Sequence, residues 1–334
     1  MPNDTSRGRV NTHPPRPAHP VGAGRTAPRG ERGETPLRPG DPDRIGGYPL
    51  IGRLGEGGQG VVYLGRDAEG GLVTVKVLRS GAASGRRARE RLAREADAAL
   101  QVAGRHTARV LDADVAADDP YLVSEFVDGP PLQRVVAERG RLPGPQLRKM
   151  ALRTAAALAA IHRAGIVHRD FTPANVVLGP DGAKVIDFGI ARVPDAAPLT
   201  TSPIGTPAYM APEQIEDEPV GPPADVFAWG ATLVFAATGR PPFGTGPSAA
   251  VMRRVTTRRP DLGDMEGPLR ELAARCLDKN PSARPTARQL VRALRDGQEP
   301  APKPKPTRIP RYRWRMMVAL LGVIVAGFAL GVLV

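Results

Sequence analysis

The sequence predicts an α+β protein of two unequal lobes, a small β-rich one followed by a larger helical one, with one C-terminal transmembrane helix. Three observations predict it. Short runs of Val, Leu and Ile, punctuated by glycines, crowd the stretch from Ile45 to Val127, the pattern of antiparallel strands. Beyond Asp128 the apolar residues recur every three to four positions, the period of amphipathic helices. Residues 316–334 carry no charge and no strongly polar side chain. Strands first and helices later is the order of an α+β chain rather than of alternating βα units.

Each element can be justified in turn. Residues 1–44 are rich in Pro, Gly and Arg and nearly lack large apolar side chains, so they are expected to be a disordered tail that cannot offset its ordering entropy. No apolar core follows Met1, which excludes a signal peptide. The run His13–Pro17 reads as solvated tail more readily than as a polyproline ligand. In the first lobe, 45–127, strands are expected at Tyr48–Leu54, Val61–Arg66 and Leu72–Leu78. A charged, Ala-rich helix follows over 86–102, then strands at Leu111–Val115 and Tyr121–Phe126. In the second lobe, 128–297, Leu147, Met150, Ala151, Leu158 and Ile161 place an amphipathic helix over Gln146–His162.

Residues 298–315 form a Pro- and Lys/Arg-rich linker. As a helix, 316–334 spans roughly 28 Å, about the hydrocarbon thickness of a bilayer. Arg311, Arg313 and Arg315, with Tyr312 and Trp314 among them, are an interfacial anchor with its positive side in the cytosol. The expected location is therefore a single-pass cell-membrane protein with its two lobes cytoplasmic. Read as the end of the chain, the span leaves no sensor domain beyond the membrane. Gly327 and Gly331 form a G-x-x-x-G face suited to a homodimer contact.

The net charge of +13 invites a nucleic-acid reading, but its distribution argues against one. Residues 1–44 contribute +3 and residues 298–334 contribute +5, leaving +5 on the long middle. No basic run is interleaved with aromatics in the manner of single-strand binders. Aromatic residues are only 4%, so Leu, Val, Ile and Ala must build the cores. The one cysteine, Cys276, excludes an intrachain disulfide and reads as a buried small hydrophobe.

Five motifs carry chemistry. Gly55-Glu56-Gly57-Gly58-Gln59-Gly60 matches G-x-G-x-x-G, but strand-like Val61-Val62-Tyr63 follows it, whereas a dinucleotide fingerprint would open a helix. Glycines in a strand–turn–strand let backbone N–H groups approach phosphate oxygens. Lys76 lies inside the apolar strand Val73–Leu78, a costly place for an ammonium without an anionic partner. Glu95 on the following helix is the candidate carboxylate, and Glu90 is the alternative. His168-Arg169-Asp170 with Asn175, Asp187-Phe188-Gly189, and Ala211-Pro212-Glu213 complete the set.

In this order and at these separations, the motifs resemble the eukaryotic-type (Hanks-type) serine/threonine protein kinases, in particular their bacterial membrane-anchored members. The resemblance covers roughly 45–297. It implies a two-lobed protein-kinase-like fold with ATP in the cleft, near a hinge at Glu125–Val127. It implies that Gly55, Gly57 and Gly60 cover the phosphates and that Leu54 and Val62 sandwich the adenine. Lys76 would hold the α- and β-phosphates and be positioned by Glu95. Asp170 would orient the substrate hydroxyl, and Asn175 and Asp187 would hold Mg²⁺, with Mn²⁺ as an alternative cation. The partners implied are protein substrates bearing Ser or Thr.

Asp225 looks like the acid that braces the catalytic-loop backbone, and Arg284 like the partner of Glu213. Arg169 would grip a phosphate on the loop that carries Thr200, Thr201 and Ser202, with autophosphorylation expected at Thr200 or Thr201. The sequence departs from the family's pattern at Thr172, where these kinases usually place a Lys that helps neutralise the γ-phosphate. Thr74 stands for a usual Ala and Phe171 for a usual Leu. The alternatives to an active kinase are a membrane-tethered pseudokinase scaffold that binds nucleotide, and a small-molecule kinase of similar fold. The Ala211–Glu213 segment, a platform for protein substrates, argues against the latter.

Overall fold

A computed structural model describes residues 30, 32–58, 60–79, 86–188 and 206–296. The first lobe is a six-stranded antiparallel sheet in the order β1-β2-β3-β4-β6-β5. Its strands are β1 (Arg44–Ile45), β2 (Tyr48–Gly57), β3 (Gly60–Arg66), β4 (Leu72–Leu78), β5 (Val110–Asp114) and β6 (Tyr121–Glu125). Helix α1 (Arg86–Leu100) connects β4 to β5. The expected strands are all present, and β2 runs three residues further than expected because Gly57 pairs with Gly60. The glycine motif is therefore the tip of a β-hairpin and not the start of a helix.

Alternation along β4 sorts its residues by face. Val73 and Val75 pack with Ile45, Leu50, Tyr63, Tyr121 and Val123 in a small core. Thr74, Lys76 and Leu78 point the other way, and Leu78 joins Leu92 and Ala96 of α1 in the large core that continues into the second lobe. Lys76 thus belongs to the face that looks toward the second lobe.

That lobe contains α2 (Leu132–Arg139), α3 (Gly144–Arg163), the hairpin β7 (Val176–Gly179) and β8 (Gly182–Val185), α4 (Pro212–Ile215), α5 (Pro222–Thr238), α6 (Ser248–Thr257), α7 (Gly267–Cys276) and α8 (Ala287–Asp296). Helix α5 is its centre, with nearly every side chain from Ala224 to Val234 buried. Small residues let α3, with Ala151 and Ala155 at 0% exposure, come close to it. A hydrogen bond from Trp229 Nε1 to Thr154 Oγ1 (2.9 Å) joins the two helices. Cys276 is fully buried, as the sequence implied, and burial pushes its thiol well above the ordinary cysteine value. At Gly230 a Cβ would lie 2.7 Å from the Cβ of Cys276, so α5 and α7 approach through that glycine.

The expected disordered tail needs correcting over 32–43. This segment packs on the outside of the first lobe. Thr35 exchanges two backbone hydrogen bonds with Arg53 of β2, each 2.7 Å. Asp41 accepts from Arg53 Nε at 2.6 Å and from the Tyr63 hydroxyl at 2.9 Å. The side chain of Asp41 is only 4% exposed. Composition concealed this because most of the anchors are polar: a buried charge pair and a two-bond backbone bridge hold the segment, with Leu37 its apolar contact to the small core. Residues 1–29, together with the expected linker 298–315 and membrane span 316–334, lie outside the described residues. Among those described, no helix is long and apolar enough to cross a membrane.

The hydrogen bond from Arg53 holds the Asp41 carboxyl well below the usual 3.8, against the opposing effect of burial. A depressed carboxylate stabilises the fold above its unfolded value and ceases to do so as acid protonates it. Asp41→Asn is expected to lower stability by about 2 kcal/mol at pH 7. The deficit relative to the parent should shrink as pH falls below 4, read by thermal melts across pH.

Candidate active site

The two lobes bring the motif residues to one cleft. Val62 on β3 lies directly opposite Lys76 on β4, so their side chains share the cleft face. Leu54 lies beside Gly55, the partner of Val62 across the β2–β3 pair. The three motif glycines have different reasons to be glycine. Gly60 has φ 148°, and a Cβ there would lie 1.9 Å from the carbonyl oxygen of Val77. At Gly55 and Gly57 a Cβ would meet nothing within 4 Å. Neither packing nor backbone conformation demands glycine at those two, so the open space above them fits a ligand that approaches the backbone closely.

Lys76 is 8% exposed, and its Nζ lies 3.4 Å from Asp187 Oδ1. Glu95 pairs at 3.3 Å with Arg169 Nη1. The expected positioning of Lys76 by Glu95 is thus replaced by two parallel links across the cleft, Lys76 to Asp187 and Glu95 to Arg169.

The loop that carries Asp170 is held from below. Asp225, 1% exposed, accepts from the backbone N–H of His168 (2.8 Å) and of Arg169 (2.8 Å), and lies 2.7 Å from His162 Nε2. This is the bracing role expected for Asp225. His168 Nε2 lies 3.1 Å from the carbonyl oxygen of Ile186. The His168 ring meets Phe171 and Phe188 edge-on, which stacks the two loops on one another. Arg169 and Asp187 both adopt left-handed backbone, with φ 58° and 57°. Side-chain-bearing residues keep that conformation only where the surroundings over-determine it.

Asn175 Nδ2 donates to the Asp170 carbonyl oxygen at 2.8 Å and to Asp170 Oδ2 at 3.3 Å. Its amide nitrogen is committed, so the amide oxygen is the atom it can turn toward a cation. Among the described residues, no group of three or more His, Cys, Asp or Glu side chains could hold a metal by itself. Asp187 with the Asn175 amide suits Mg²⁺, which takes one or two protein carboxylates and fills its octahedron with phosphate and water oxygens.

Glu125 ends β6 at the expected hinge. Its carboxylate pairs with Lys184 and accepts from the Arg109 N–H at 3.3 Å, while its own N–H donates to the Arg109 carbonyl at 2.8 Å. Val127, two residues on, is only half-buried between the lobes. Thr172 lines a small cavity with Arg169, Asp170, Phe171, Tyr209, Met210 and Gln214. The sequence reading assigned no role to His162, Lys184 or Gln214. His162 is the one with a signal, a polar residue on the buried side of an amphipathic helix. Thr200, Thr201 and Ser202 lie outside the described residues.

Glu213 and Arg284 form the expected pair, bidentate at 2.6 and 2.9 Å, with side chains 4% and 0% exposed. The same guanidinium donates to the carbonyls of Asp278, Lys279 and Pro223. Every donor direction of the fork is thereby used.

Residues 48–294 match the family model of the protein kinase domain. The chain belongs to the protein kinase family. A probable serine/threonine-protein kinase, PkwA of Thermomonospora curvata, is 48% identical over 261 residues, which cover 78% of this chain and 35% of PkwA. The serine/threonine-protein kinase AfsK of Streptomyces coelicolor is 44% identical over 258 residues, covering 76% of this chain and 32% of AfsK. The chain therefore spans about a third of the length of these relatives. The crystal structure of the Mycobacterium tuberculosis PknI kinase domain superposes with a TM-score of 0.61 at 26% identity, covering 76% of this chain and 96% of that one. The two-lobed kinase architecture is accordingly that of this chain.

The different surroundings of the glycines in this kinase cleft can be told apart by substitution. Gly57→Ala should leave the melting temperature within about 2 °C of the parent yet weaken ATP binding about tenfold, whereas Gly60→Ala should destabilise the fold outright. Thermal melts beside nucleotide titration separate the two. Arg284→Met, which leaves Glu213 buried and unpaired, should cost about 3–5 kcal/mol in denaturant unfolding.

Proposed function

We propose that this chain is an ATP-dependent protein kinase that transfers the γ-phosphate to Ser or Thr hydroxyls of proteins in bacterial signalling. The observation that carries the reading is the convergence of Lys76, Asp170, Asn175 and Asp187 on one cleft beneath the glycine hairpin. The names of the relatives support the serine/threonine class. Phosphoryl transfer asks a protein chiefly for positioning and charge neutralisation. Lys76 would meet the α- and β-phosphates, exchanging its contact with Asp187 for theirs. Asp187 and Asn175 would hold Mg²⁺, which supplies neutralisation of charge on the phosphate oxygens. Asp170, fixed by Asn175, would accept the hydrogen bond of the incoming hydroxyl and aim its oxygen in line.

The reading as a nucleotide-binding pseudokinase scaffold is not favoured. It rests on Thr172 alone, while Lys76, Glu95, Asp170, Asn175 and Asp187 are all present in the chain. Thr172 leaves the substrate side of Asp170 without the usual Lys, so the γ-phosphate charge falls more heavily on Mg²⁺ and Lys76. For location, the reading is a kinase anchored in the cell membrane by 316–334 with its lobes in the cytoplasm, supported by the uncharged span and its Arg-rich flank.

Incubating the full chain with Mg²⁺ and radiolabelled ATP tests the activity. Phosphoserine or phosphothreonine is expected in the parent, with the Asp187→Asn variant at least about a hundredfold weaker. Nucleotide binding without any label would instead favour the scaffold. Deleting 316–334 is expected to move the protein from the membrane to the soluble fraction.

A further inference from the structure

The Arg169 peptide is gripped at both ends. Its N–H donates to Asp225 Oδ1 at 2.8 Å. Its carbonyl oxygen accepts from Gln214 Nε2 at 3.1 Å. That carbonyl belongs to the peptide plane whose nitrogen is Asp170's, so a rotation of the plane re-aims the Asp170 side chain. Arg169 is also the residue held at φ 58°, a conformation that relaxes if its restraints are removed.

The other end of Gln214 is equally committed, since its Oε1 accepts from the backbone N–H of Ala211 at 3.0 Å. The amide can face only one way, because one partner is a donor and the other an acceptor. The helix that bears Gln214 is itself immobilised. Its neighbour Glu213 is locked into the buried bidentate pair with Arg284. A rigid platform, an amide bridge and a strained peptide therefore lead in three steps to Asp170.

We infer that Gln214 is a positioning residue for phosphoryl transfer: its side-chain amide ties the 206–215 segment to the Arg169–Asp170 peptide and so sets the aim of Asp170. This rests on the kinase reading above. Asp225 restrains the N–H side of the strained residue, and on the carbonyl side Gln214 acts beside the Asp170 N–H, which donates to the His168 carbonyl at 2.7 Å. The amide presents an acceptor to Ala211 and a donor to Arg169 at the two ends of one planar group. A carboxylate of the same shape keeps the first bond and loses the second.

The test uses the full chain, its Gln214→Glu and Gln214→Met variants, and three readouts: amide hydrogen exchange of the peptide containing 168–171, kcat with KM for ATP, and thermal melting. Both variants are expected to exchange the Arg169 and Asp170 amides about fivefold faster or more, and to lose about tenfold in kcat with KM for ATP within about twofold of the parent. Gln214→Glu should melt close to the parent because its link to Ala211 persists. A Gln214→Glu protein with parental exchange and parental kcat would overturn the inference and leave Gln214 as a local cap of α4. Should Gln214→Met fail to fold, Gln214→Glu decides alone. Absence of transfer in the parent itself would fail the kinase reading. Exchange would still decide the contact, faster in the variants if Gln214 holds the loop and unchanged if it does not.

Discussion

The Asp225 carboxylate is the constraint on which the second lobe is organised. It sits in α5, the most buried helix, yet it is charged, and a buried charge must be met by donors. Three donors converge on it: the His168 and Arg169 backbone N–H groups and the His162 ring at the end of α3. Satisfying one carboxylate therefore fixes the catalytic loop to two helices at once. The loop in turn fixes its neighbours, because the His168 ring packs edge-on against Phe171 and Phe188 and lies 3.1 Å from the Ile186 carbonyl. Asp187 follows Ile186 directly. The acid proposed to hold the metal is thus located by an acid on α5.

The lobes are joined across the cleft by charge rather than by apolar packing alone. Lys76 reaches down to Asp187, and Arg169 reaches up to Glu95. Both links use groups that the chemistry also needs, so the arrangement without nucleotide and the arrangement with it compete for the same side chains. In the proposed reaction a phosphate above Lys76 would replace the attraction of Asp187 with its own and free that carboxylate for a cation. Electrostatics in this cleft serves first to hold the lobes together and then to hold the substrate.

Much of this was legible beforehand. The strands were visible through alternation and the helices through period, because burying one face of an element writes its period into the sequence. Lys76 stood out as an ammonium in an apolar strand, and Asp170, Asn175 and Asp187 through the order and spacing of the motifs and the family resemblance they carry. The anchored segment 32–43 was not legible, since its attachment is mainly a buried ion pair between Asp41 and Arg53 and a backbone bridge at Thr35, with Leu37 as its one hydrophobic signal. The partner of Glu95 was not legible either. Arg169 lies 74 positions from Glu95 in the chain, and no spacing between them announces the contact.

The sequence by itself determined the order of the elements, the identity of the chemical groups and the family, all of which rest on local pattern and spacing. Only the tertiary structure decided which groups meet. Asp225 lies 55 residues beyond Asp170 in the chain, and Gln214 hydrogen-bonds a residue 45 positions away. Such partnerships are set by how helices and loops pack, through distances of a few ångströms that no spacing along the chain encodes. The same packing decided that Gly60 is required by the fold while Gly55 and Gly57 stand open to a ligand. The letter is identical at all three positions, and only the neighbours differ.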